Sequence, residues 1–368
     1  MSLHVCHLSS VHPVNDVRIF HKECVSLVNA GFEVDLVAIG PGETHYHSGV
    51  RVHPVAPSDG RLRRATVGAA GAVRRAVSTG APLIHFHDPE LIPFGVGLAA
   101  AGRLVVYDAH ESLAKSVMSK PYLPRFARRA VSMGANTAEW AMAQAASAIV
   151  TATPAIARQF PASKTTTIQN FPLLGELAPR DVSYADRPNS VIYTGGITAP
   201  RGAVEMVEAM ALADHGPRLT LVGSFKSVET ERKARSSRGW DRVDFLGWLP
   251  RTDLQAVFAT ARVGLVVFHP EPNHIEAMPN KLFEYMSAGL PVVASDFPLW
   301  RSIVEGAGCG LLVDPTDPGD IASSVDWLLT HPEEAMEMGA RGRKAVEARY
   351  NWGVESPKLV DLCHRLLG

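Results

Sequence analysis

The chain has 368 residues, more than a single hydrophobic core usually organises, so its length predicts two domains of ordinary size. With 46% hydrophobic residues, 20% charged residues and a net charge of -1, the composition excludes a disordered or fibrous protein and gives no support to nucleic-acid binding. No run reaches the roughly 18 apolar residues that span a bilayer, and the first ten residues lack the features of a signal peptide, so we expect a cytoplasmic protein.

Short runs rich in β-branched residues alternate with longer helical patterns along the chain, which is typical of βα units on a parallel sheet. In the first half the predicted strands are 5–8, 34–39, 83–86, 104–107 and 148–150. Prolines among polar residues then interrupt the alternation and predict a linker over 171–189. The alternation resumes with predicted strands at 191–193, 219–222, 243–246, 263–267, 292–294 and 310–313, and with predicted helices at 320–329, 332–349 and 354–367.

We therefore predict an α/β protein with two Rossmann-like domains, each a doubly wound parallel sheet. Residues 1–170 form the predicted N-terminal domain, and residues 190–349 form the predicted C-terminal domain after the linker. Residues 350–368 are expected to form a final helix that packs back toward the N-terminal domain. Ligands of open parallel sheets bind outside the carboxyl ends of the strands, so two such sheets that face each other are expected to enclose a central cleft.

The first motif that can carry chemistry follows the first strand of the second half, in VIYTGGITAPRGAVEMVEAM. Gly195 and Gly196 allow backbone amides to approach a phosphate, and Arg201 adds a cation where the next helix begins. The full spacing of a dinucleotide or Walker fingerprint is absent. A plain strand-to-helix turn with glycines for geometry therefore remains an open interpretation.

The second motif is HIEAMPNKLFEYM, in which Glu276 and Glu284 are separated by seven residues. Pro279 and Asn280 predict a helix start, which places Lys281 and Glu284 in the first two turns. A carboxylate there can accept two hydrogen bonds from a ribose diol, while Lys281 and the helix dipole can hold a diphosphate. The alternative is a capped helix with a solvated glutamate.

These motifs occur in a fixed order with LTLVGS, VDFLGWLP, AGLPVVASD and GCGLLVDPTDP. That order resembles the donor domain of retaining glycosyltransferases of family 4, which have the GT-B fold. The first half contains SSVHPVNDVRIFHKECVSLVNAGFEVDLVAIG, IHFHDPELIPFG and VVYDAHE, which are similar to the acceptor domain of a bacterial branch that builds surface polysaccharides and related glycoconjugates. The resemblance implies transfer of a hexose from a UDP-, TDP- or GDP-linked donor to an acceptor hydroxyl, with retention of anomeric configuration and without a cofactor.

The resemblance also assigns roles to individual donor-side residues. It makes Glu284 the carboxylate that binds the ribose, Glu276 the one that faces the donor sugar, and Arg201 the cation on the diphosphate. Relatives carry a second cation where this chain has Gly196, and we infer from the need for charge that Lys281 compensates. The residues after Glu276 differ from the Gly and Phe of many relatives, which leaves a solvated loop residue as the alternative for this glutamate.

The nucleotide base is expected beside the loop that contains Trp248 and Leu249, with Gly223 admitting the backbone close to the ribose or the phosphates. A large aromatic residue after a strand has two interpretations. Trp248 either stacks on the base or belongs to the core.

Polar residues of the first half follow predicted strands and are expected on the acceptor side. His110 matches the family position that contacts the donor sugar from the acceptor domain. The residues expected to line the acceptor pocket are His12, Asp16, Arg18, His87 and Asp88. For these five, loop capping or a local ion pair is the alternative interpretation.

No nucleophile elbow and no His-Glu-x-x-His motif is present, so we predict neither a serine nucleophile nor a metal site. In relatives the departing diphosphate is neutralised by side chains and helix N-termini, which implies a metal-independent enzyme. The residues expected to contribute to catalysis are Glu276, His110, Arg201 and Lys281, through orientation of the substrates and stabilisation of the leaving group.

Basic residues are concentrated in two segments of the first half. Residues 59–80 contain five arginines, with no acid between Asp59 and Asp88, and residues 122–131 contain three more. Such segments suit an anionic membrane surface, and related enzymes use lipid-linked acceptors. We therefore expect a glycan or lipid-linked acceptor and peripheral contact with the inner face of a membrane; a solvated helix face is the alternative.

Two other functions share this fold and stay open at this stage. One is isomerisation of a sugar nucleotide, as in the non-hydrolysing 2-epimerases, which would turn over a donor without any acceptor. The other is a non-catalytic sugar-nucleotide binding module, which would bind a donor without turnover.

Overall fold

The structure is a computed structural model that describes residues 3–118, 124–177 and 184–368. The chain divides into two compact units. The first unit comprises Met1–Asn170 together with Trp352–Gly368, and the second unit comprises Phe171–Asn351. Each unit is built around one sheet.

Eight strands form the sheet of the first unit. They are β1 (His4–Pro13), β2 (Glu33–Ile39), β3 (His45–His47), β4 (Val50–Val55), β5 (Leu83–Phe86), β6 (Leu104–Ala109), β7 (Ala148–Thr151) and β8 (Thr165–Thr167). Their order across the sheet is β3-β4-β2-β1-β5-β6-β7-β8. The paired strands run parallel, except that the edge strand β3 runs antiparallel to β4.

The helices of the first unit up to residue 170 connect these strands. They are α1 (Val25–Asn29), α2 (Arg61–Arg63), α3 (Ala69–Ser78), α4 (Ile92–Ala100), α5 (Leu113–Met118), α6 (Arg125–Ala145) and α7 (Pro154–Ala157). A π-helical segment, Val17–Cys24, runs directly into α1. Helices α3, α4 and α6 bury side chains in one shared core cluster, with Ala72 from α3, Ile92 from α4 and Met142 from α6. These three helices therefore form one layer on the same face of the sheet.

The sequence analysis missed three strands, and each has a weak local pattern. Strand β3 is three exposed polar or aromatic residues, and β8 is three threonines. Strand β4 contains Pro54, which normally argues against a strand. Here β3 pairs only with residues 50–52 of β4, so Pro54 lies where β4 has no neighbour on that side and its missing N–H breaks no ladder.

The second unit has a sheet of six strands, all parallel. They are β9 (Ser190–Thr194), β10 (Arg218–Val222), β11 (Val243–Gly247), β12 (Val263–Val266), β13 (Val292–Ser295) and β14 (Gly310–Val313), in the order β11-β10-β9-β12-β13-β14. Its helices are α8 (Ala203–Leu212), α9 (Val228–Ser236), α10 (Arg251–Thr260), α11 (Pro272–Ile275), α12 (Asn280–Ser287), α13 (Pro298–Ala307), α14 (Pro318–Thr330) and α15 (Pro332–Ala348). The predicted pair of doubly wound parallel sheets is confirmed.

The strand order has a switch point in each sheet, where successive connections leave in opposite directions. In the first unit β1 lies between β2 and β5, and in the second unit β9 lies between β10 and β12. Ligands of doubly wound sheets bind at the carboxyl ends of the strands beside such a point. Candidate ligand-binding residues are therefore expected on the loops after β1, β5 and β6 and on those after β9, β10 and β12.

Described residues of the segment predicted as a linker contribute to the core of the second unit. Phe171, Leu177 and Tyr184 are buried there. The last helix, α16 (Trp352–Leu367), belongs to the first unit, where the indole N–H of Trp352 donates to Ser26 at 2.8 Å and Glu355 accepts the backbone N–H of Gln169 at 2.9 Å.

None of the helices in the described ranges combines the length and the apolarity that crossing a membrane requires.

Candidate functional site

The turns that follow β9 and β10 meet through two glycines. Gly195 and Gly223 both have positive φ, +108° and +138°. A Cβ atom on Gly223 would lie 1.9 Å from the carbonyl oxygen of Gly195, so only glycine fits at that position. The Gly195 N–H donates to Val222 O at 2.9 Å, which holds the two turns together. The result is a stretch of exposed backbone with no side chains of its own at the switch point.

Arg201 borders this glycine turn. It ends a 3₁₀ turn, Ala199–Arg201, and is followed by Gly202 in the left-handed conformation, which starts α8. One guanidinium N–H donates to Gly196 O at 3.4 Å, and the guanidinium carbon lies 5.3 Å from the ring centroid of Phe268. Arg201 is thereby held beside the turn while forming no ion pair with a carboxylate among the described residues.

Lys281, on helix α12, lies beside the same turn. It lies in the first turn of α12, and its ammonium lies 3.6 Å from the point where a Cβ of Gly195 would be and 3.5 Å from the centroid of the Tyr193 ring. The residue is 7% exposed, and its Nζ has no hydrogen-bond partner among the residues that the structure describes. Burial, together with the charge of Arg201, holds the pKa of Lys281 well below its usual range, against the opposing effect of Glu284.

Glu284 lies one turn further along α12 and is part of an ion-pair chain. Its Oε1 accepts a hydrogen bond from Arg251 at 2.8 Å, and Arg251 also makes a bidentate pair with Glu176. The sequence analysis missed Arg251 and Glu176, because nothing in their local patterns links residues that far apart to Glu284. Oε2 of Glu284 has no hydrogen-bond partner among the described residues, so one oxygen of this carboxylate stays available to a ligand.

The remaining donor-side residues lie on neighbouring loops. Glu276 directly follows α11 and is half-buried. Trp248 is 72% exposed, so its interpretation as a core residue is wrong. It follows Gly247, whose carbonyl accepts the N–H of Gly223 at 2.7 Å, and is followed by the half-buried Leu249. The structure thus brings Gly195, Gly196, Gly223, Arg201 and Lys281 together.

In the first unit, the loops after β1, β5 and β6 bring a second set of predicted residues together. The Nδ1 atom of His12 lies 3.2 Å from Asp16, and its Nε2 lies 3.6 Å from Asp88. The rings of His12 and His110 are 5.6 Å apart, and both side chains are partly exposed. Burial lowers the pKa of His12, but the Asp16 carboxylate outweighs it and raises the pKa. His12, Asp16 and His110 form a partly exposed polar surface. Asp88 is buried and accepts hydrogen bonds from the Ser9 hydroxyl at 2.8 Å and the Ser10 N–H at 2.6 Å, which corrects its expected role in the acceptor pocket.

Arg18 does not belong to that surface, which corrects its expected role in the acceptor pocket. Its side chain is 5% exposed and contacts two buried carboxylates, Asp108 at 3.0 Å and Glu23 at 2.9 Å. It also donates to Ile168 O at 3.1 Å. Burial alone would raise the pKa of Asp108, but Arg18 and His110 hold it well below its usual range. Arg18 is therefore a structural counter-charge.

Three histidines lie against this ion pair, and two of them, His7 and His85, were not singled out from the sequence. His7 of β1 pairs in register with His85 of β5, and His87 lies 3.0 Å from His7 and 3.3 Å from His110. Burial lowers the pKa values of His7, His85 and His87, so all three are neutral under ordinary conditions. His87 is therefore a buried neighbour of His110 and does not line a ligand pocket, which corrects its expected role on the acceptor side.

Four buried residues of this cluster could offer ligand atoms to a metal ion, and these atoms lie within 4.8 Å of one another. They are Glu23, His85, His87 and Asp108. Both carboxylates already have a cationic partner in Arg18.

Comparison with known families assigns both halves of the chain. Residues 18–170 match the glycosyl transferase 4-like domain, and residues 178–345 match the glycosyl transferases group 1 domain. Together the two matches cover most of the chain.

One curated relative is the GDP-mannose-dependent alpha-(1-6)-phosphatidylinositol monomannoside mannosyltransferase of Mycobacterium tuberculosis, 31% identical over 149 residues. That match covers 40% of this chain and 39% of the relative. The chain thus spans about two fifths of the length of this curated relative.

Two solved structures have the same fold over nearly the whole chain. The sucrose-phosphate synthase of Thermosynechococcus elongatus superposes with a TM-score of 0.80 at 21% identity and covers 99% of this chain and 98% of that one. Anabaena HepE in complex with UDP and glucose superposes with a TM-score of 0.75 at 15% identity, covering 98% and 99% of the two chains. Identities this low show the fold alone, which is the predicted GT-B fold. The chain therefore belongs to the family 4 type of glycosyltransferases, in which a glycosyltransferase 4-like domain precedes a group 1 domain.

Proposed function

We propose that this protein transfers a sugar from a nucleotide-sugar donor to an acceptor hydroxyl, and that its second unit binds the diphosphate of the donor. The observation that carries the proposal is the buried ammonium of Lys281, which has no hydrogen-bond partner among the described residues and lies beside both the Gly195 turn and Arg201. Burial beside Arg201 lowers the pKa of Lys281, so its charged form is favoured only when an anion joins the two groups. A diphosphate has the charge and the oxygen atoms to do so.

Other features of the second unit fit the rest of a nucleotide sugar. The available oxygen of Glu284 suits a ribose hydroxyl, because a charged acceptor makes strong hydrogen bonds. Trp248 is exposed beside the Gly223–Gly247 contact, where a base could stack on it. HepE was solved with UDP and glucose, and the mycobacterial relative is described as GDP-mannose-dependent.

The proposed reaction proceeds with retention and without a metal ion. The bond between the anomeric carbon and the diphosphate oxygen breaks, and the acceptor oxygen bonds to the same face of that carbon. The departing diphosphate accepts the proton of the acceptor hydroxyl. Arg201 and Lys281 stabilise the negative charge that develops on the leaving group, while Glu276 orients the sugar. His12 and Asp16 are the proposed contacts of an acceptor that is a glycan or a lipid-linked sugar.

The proposal for a lipid-linked acceptor is supported by an apolar stripe on α6. Phe126, Met133 and Trp140 are 88%, 70% and 64% exposed and are spaced seven residues apart, so they lie on one side of the helix. The only acidic residue of α6, Glu139, is buried and accepts a hydrogen bond from Tyr107. Exposed arginines lie on the same helical layer, including Arg129 on α6 and Arg74 on α3. We propose that this layer contacts an anionic membrane surface.

A transfer assay tests the function. Thermal-shift screening against UDP, TDP and GDP sugars first identifies a donor, since a bound ligand raises the melting temperature. With that donor and a panel of hydroxyl acceptors, we expect a product whose anomeric configuration, read by NMR, matches the donor, and activity that persists in EDTA. Inversion, or loss of transfer that one divalent ion restores, contradicts the mechanism. Turnover of the donor to an epimer without acceptor favours an isomerase, and binding without turnover favours a binding module.

For Glu284→Ala we expect weaker binding of the nucleotide donor, by on the order of 1.5 to 3 kcal/mol, the range for hydrogen bonds to a charged group. Calorimetry with the same nucleoside diphosphate measures this loss. Glu347→Ala is the matched control, because Glu347 is an exposed carboxylate of the same unit that pairs with Arg343. Equal affinities of Glu284→Ala and wild type, with native melting of the variant, would overturn the role of Glu284.

When a nucleoside diphosphate binds, we expect the protein to take up a proton from solution at the Lys281 amine. The pKa of Lys281 is lowered in the free protein, and a bound diphosphate raises it by favouring the charged ammonium. Affinity should therefore fall as the pH rises from the free pKa through the bound pKa. Calorimetry in HEPES and in Tris at about pH 8.5, where the terminal phosphate is already ionised, measures the uptake. Lys281→Met should abolish it; undiminished uptake in this variant would assign the proton to another group.

The membrane contact predicts binding to vesicles that contain phosphatidylglycerol and little binding to pure phosphatidylcholine, with loss at high salt. Replacing Phe126, Met133 and Trp140 together by serine should reduce sedimentation with the anionic vesicles at least about tenfold, because interfacial affinity scales with buried apolar area. Leu212→Ser/Val228→Ser, at two exposed apolar positions of the second unit, serves as the control. Equal vesicle binding by the triple variant and this control would rule the stripe out.

A further inference from the structure

An exposed lysine, Lys226, borders the glycine turn of the second unit. Gly196 has no side chain, and a Cβ built there would lie 3.7 Å from Cε of Lys226 and 3.1 Å from a terminal nitrogen of Arg201. Arg201 and Lys226, from two different loops, therefore lie on either side of the space that a side chain at position 196 would occupy. The third cation, Lys281, lies on the Gly195 side of the same turn.

The position of Lys226 is set by the backbone. Ile197, next to the glycines, donates its N–H to Ser224 O at 3.0 Å, and the N–H of Lys226 donates back to Ile197 O at 3.1 Å. Ile197 and Phe225 also form an isolated parallel β-bridge. These bonds continue the β9–β10 ladder past the ends of both strands, so the loop after β10 carries Lys226 alongside Gly196 as an ordered extension of the sheet.

The charge environment of Lys226 differs from that of its neighbours on α9. Lys233 and Arg235 form ion pairs with Glu229 and Glu231, at 3.0 Å and 2.8 Å. Lys226 makes no ion pair and no side-chain hydrogen bond with any part of the chain that the structure describes. The two cations near the end of α9 are thus neutralised, whereas Lys226, like Arg232 of α9, forms no ion pair with the described residues.

We propose that Lys226 is a further diphosphate-binding residue, which acts with Arg201 and Lys281 on the leaving group of the donor. This inference rests on the proposed function, because it names a residue of the same site. Because Gly196 has no side chain, a phosphate oxygen has space to approach the Lys226 ammonium. The lysine side chain is flexible and carries a compact positive charge, so its ammonium can adjust to the position of a phosphate oxygen. It thereby adds a third positive charge to those of Arg201 and Lys281, whose side chains are more restrained.

The roles of the three cations follow from their burial. Lys281 is buried and Arg201 is held against Phe268, so both are pre-organised before the donor arrives. Lys226 is exposed, so its charge is partly screened by water and salt. Its contribution should therefore be smaller than that of Arg201 and should decline as the ionic strength rises.

The experiment measures the affinity of UDP, TDP and GDP for the full chain by calorimetry, at about 20 mM and about 300 mM salt. With the nucleoside diphosphate that wild type binds best, Lys226→Met should raise Kd roughly three- to twentyfold at low salt, with a smaller effect at high salt, as for a partly exposed cation on a charged acceptor. Lys344→Met, at an exposed lysine of α15, is the matched control and should leave Kd unchanged.

A second variant separates the charge from the particular side chain. Gly196 does not have a positive φ, and the nearest atom to its would-be Cβ is a terminal nitrogen of Arg201 at 3.1 Å, which has to shift by only a few tenths of an ångström to admit a lysine. Gly196→Lys in the Lys226→Met background should recover most of the lost affinity. A native melting temperature shows that each variant is folded.

The outcomes distinguish this inference from the proposed function. If wild type binds none of the three nucleoside diphosphates, the proposed donor site itself fails. If wild type binds one of them and Lys226→Met binds it equally well at both salt concentrations, Lys226 is a solvated lysine and the inference is overturned. Loss of affinity in Lys226→Met that Gly196→Lys does not recover would overturn the assignment to charge at this position.

Discussion

The close approach of two backbones, at Gly195 and Gly223, is the constraint on which the donor-side site depends. The carbonyl oxygen of Gly195 occupies the place that a Cβ of residue 223 would need. Because neither turn has side chains at the contact, the ends of β9 and β10 lie side by side and expose backbone to whatever binds there. The cations that border the turn therefore come from other segments: Arg201 from the 3₁₀ turn before α8, Lys281 from the first turn of α12 and Lys226 from the loop after β10.

The charge of the second unit is distributed unevenly around that turn. Arg251 lies between two carboxylates, Glu176 and Glu284, and so its charge is neutralised within the protein. Lys281 has no such partner at hydrogen-bond distance and is buried beside another cation. An arrangement of this kind costs folding free energy, and local violations of favourable charge pairing are typical of functional sites.

In the first unit, by contrast, a buried arginine is paired with carboxylates of the same unit. Arg18 contacts Glu23 and Asp108, and burial keeps the neighbouring histidines neutral by lowering their pKa values. Arg18 thereby offsets the desolvation of Asp108, whereas burial raises the pKa of Glu23, whose carboxylate oxygens have no hydrogen-bond partner among the described residues. At the surface, His110 contacts Asp108 at 3.2 Å, so the buried ion pair orients a side chain that is itself partly exposed.

The sequence by itself determined the two parallel sheets, most of the strand positions and the glycine turn, because these follow from local periodicity and from the special backbone freedom of glycine. It also predicted that Lys281 and Glu284 lie in the first two turns of a helix, since a helix start is encoded within a few residues. Only the tertiary structure decided that Arg18 is buried, that His7 and His85 lie beside it, that Arg251 holds Glu284, and that Lys226 stands beside Gly196. The physical reason is that strand order and the close packing of loops bring these residues together from distant parts of the chain, and no local pattern records which strands become neighbours.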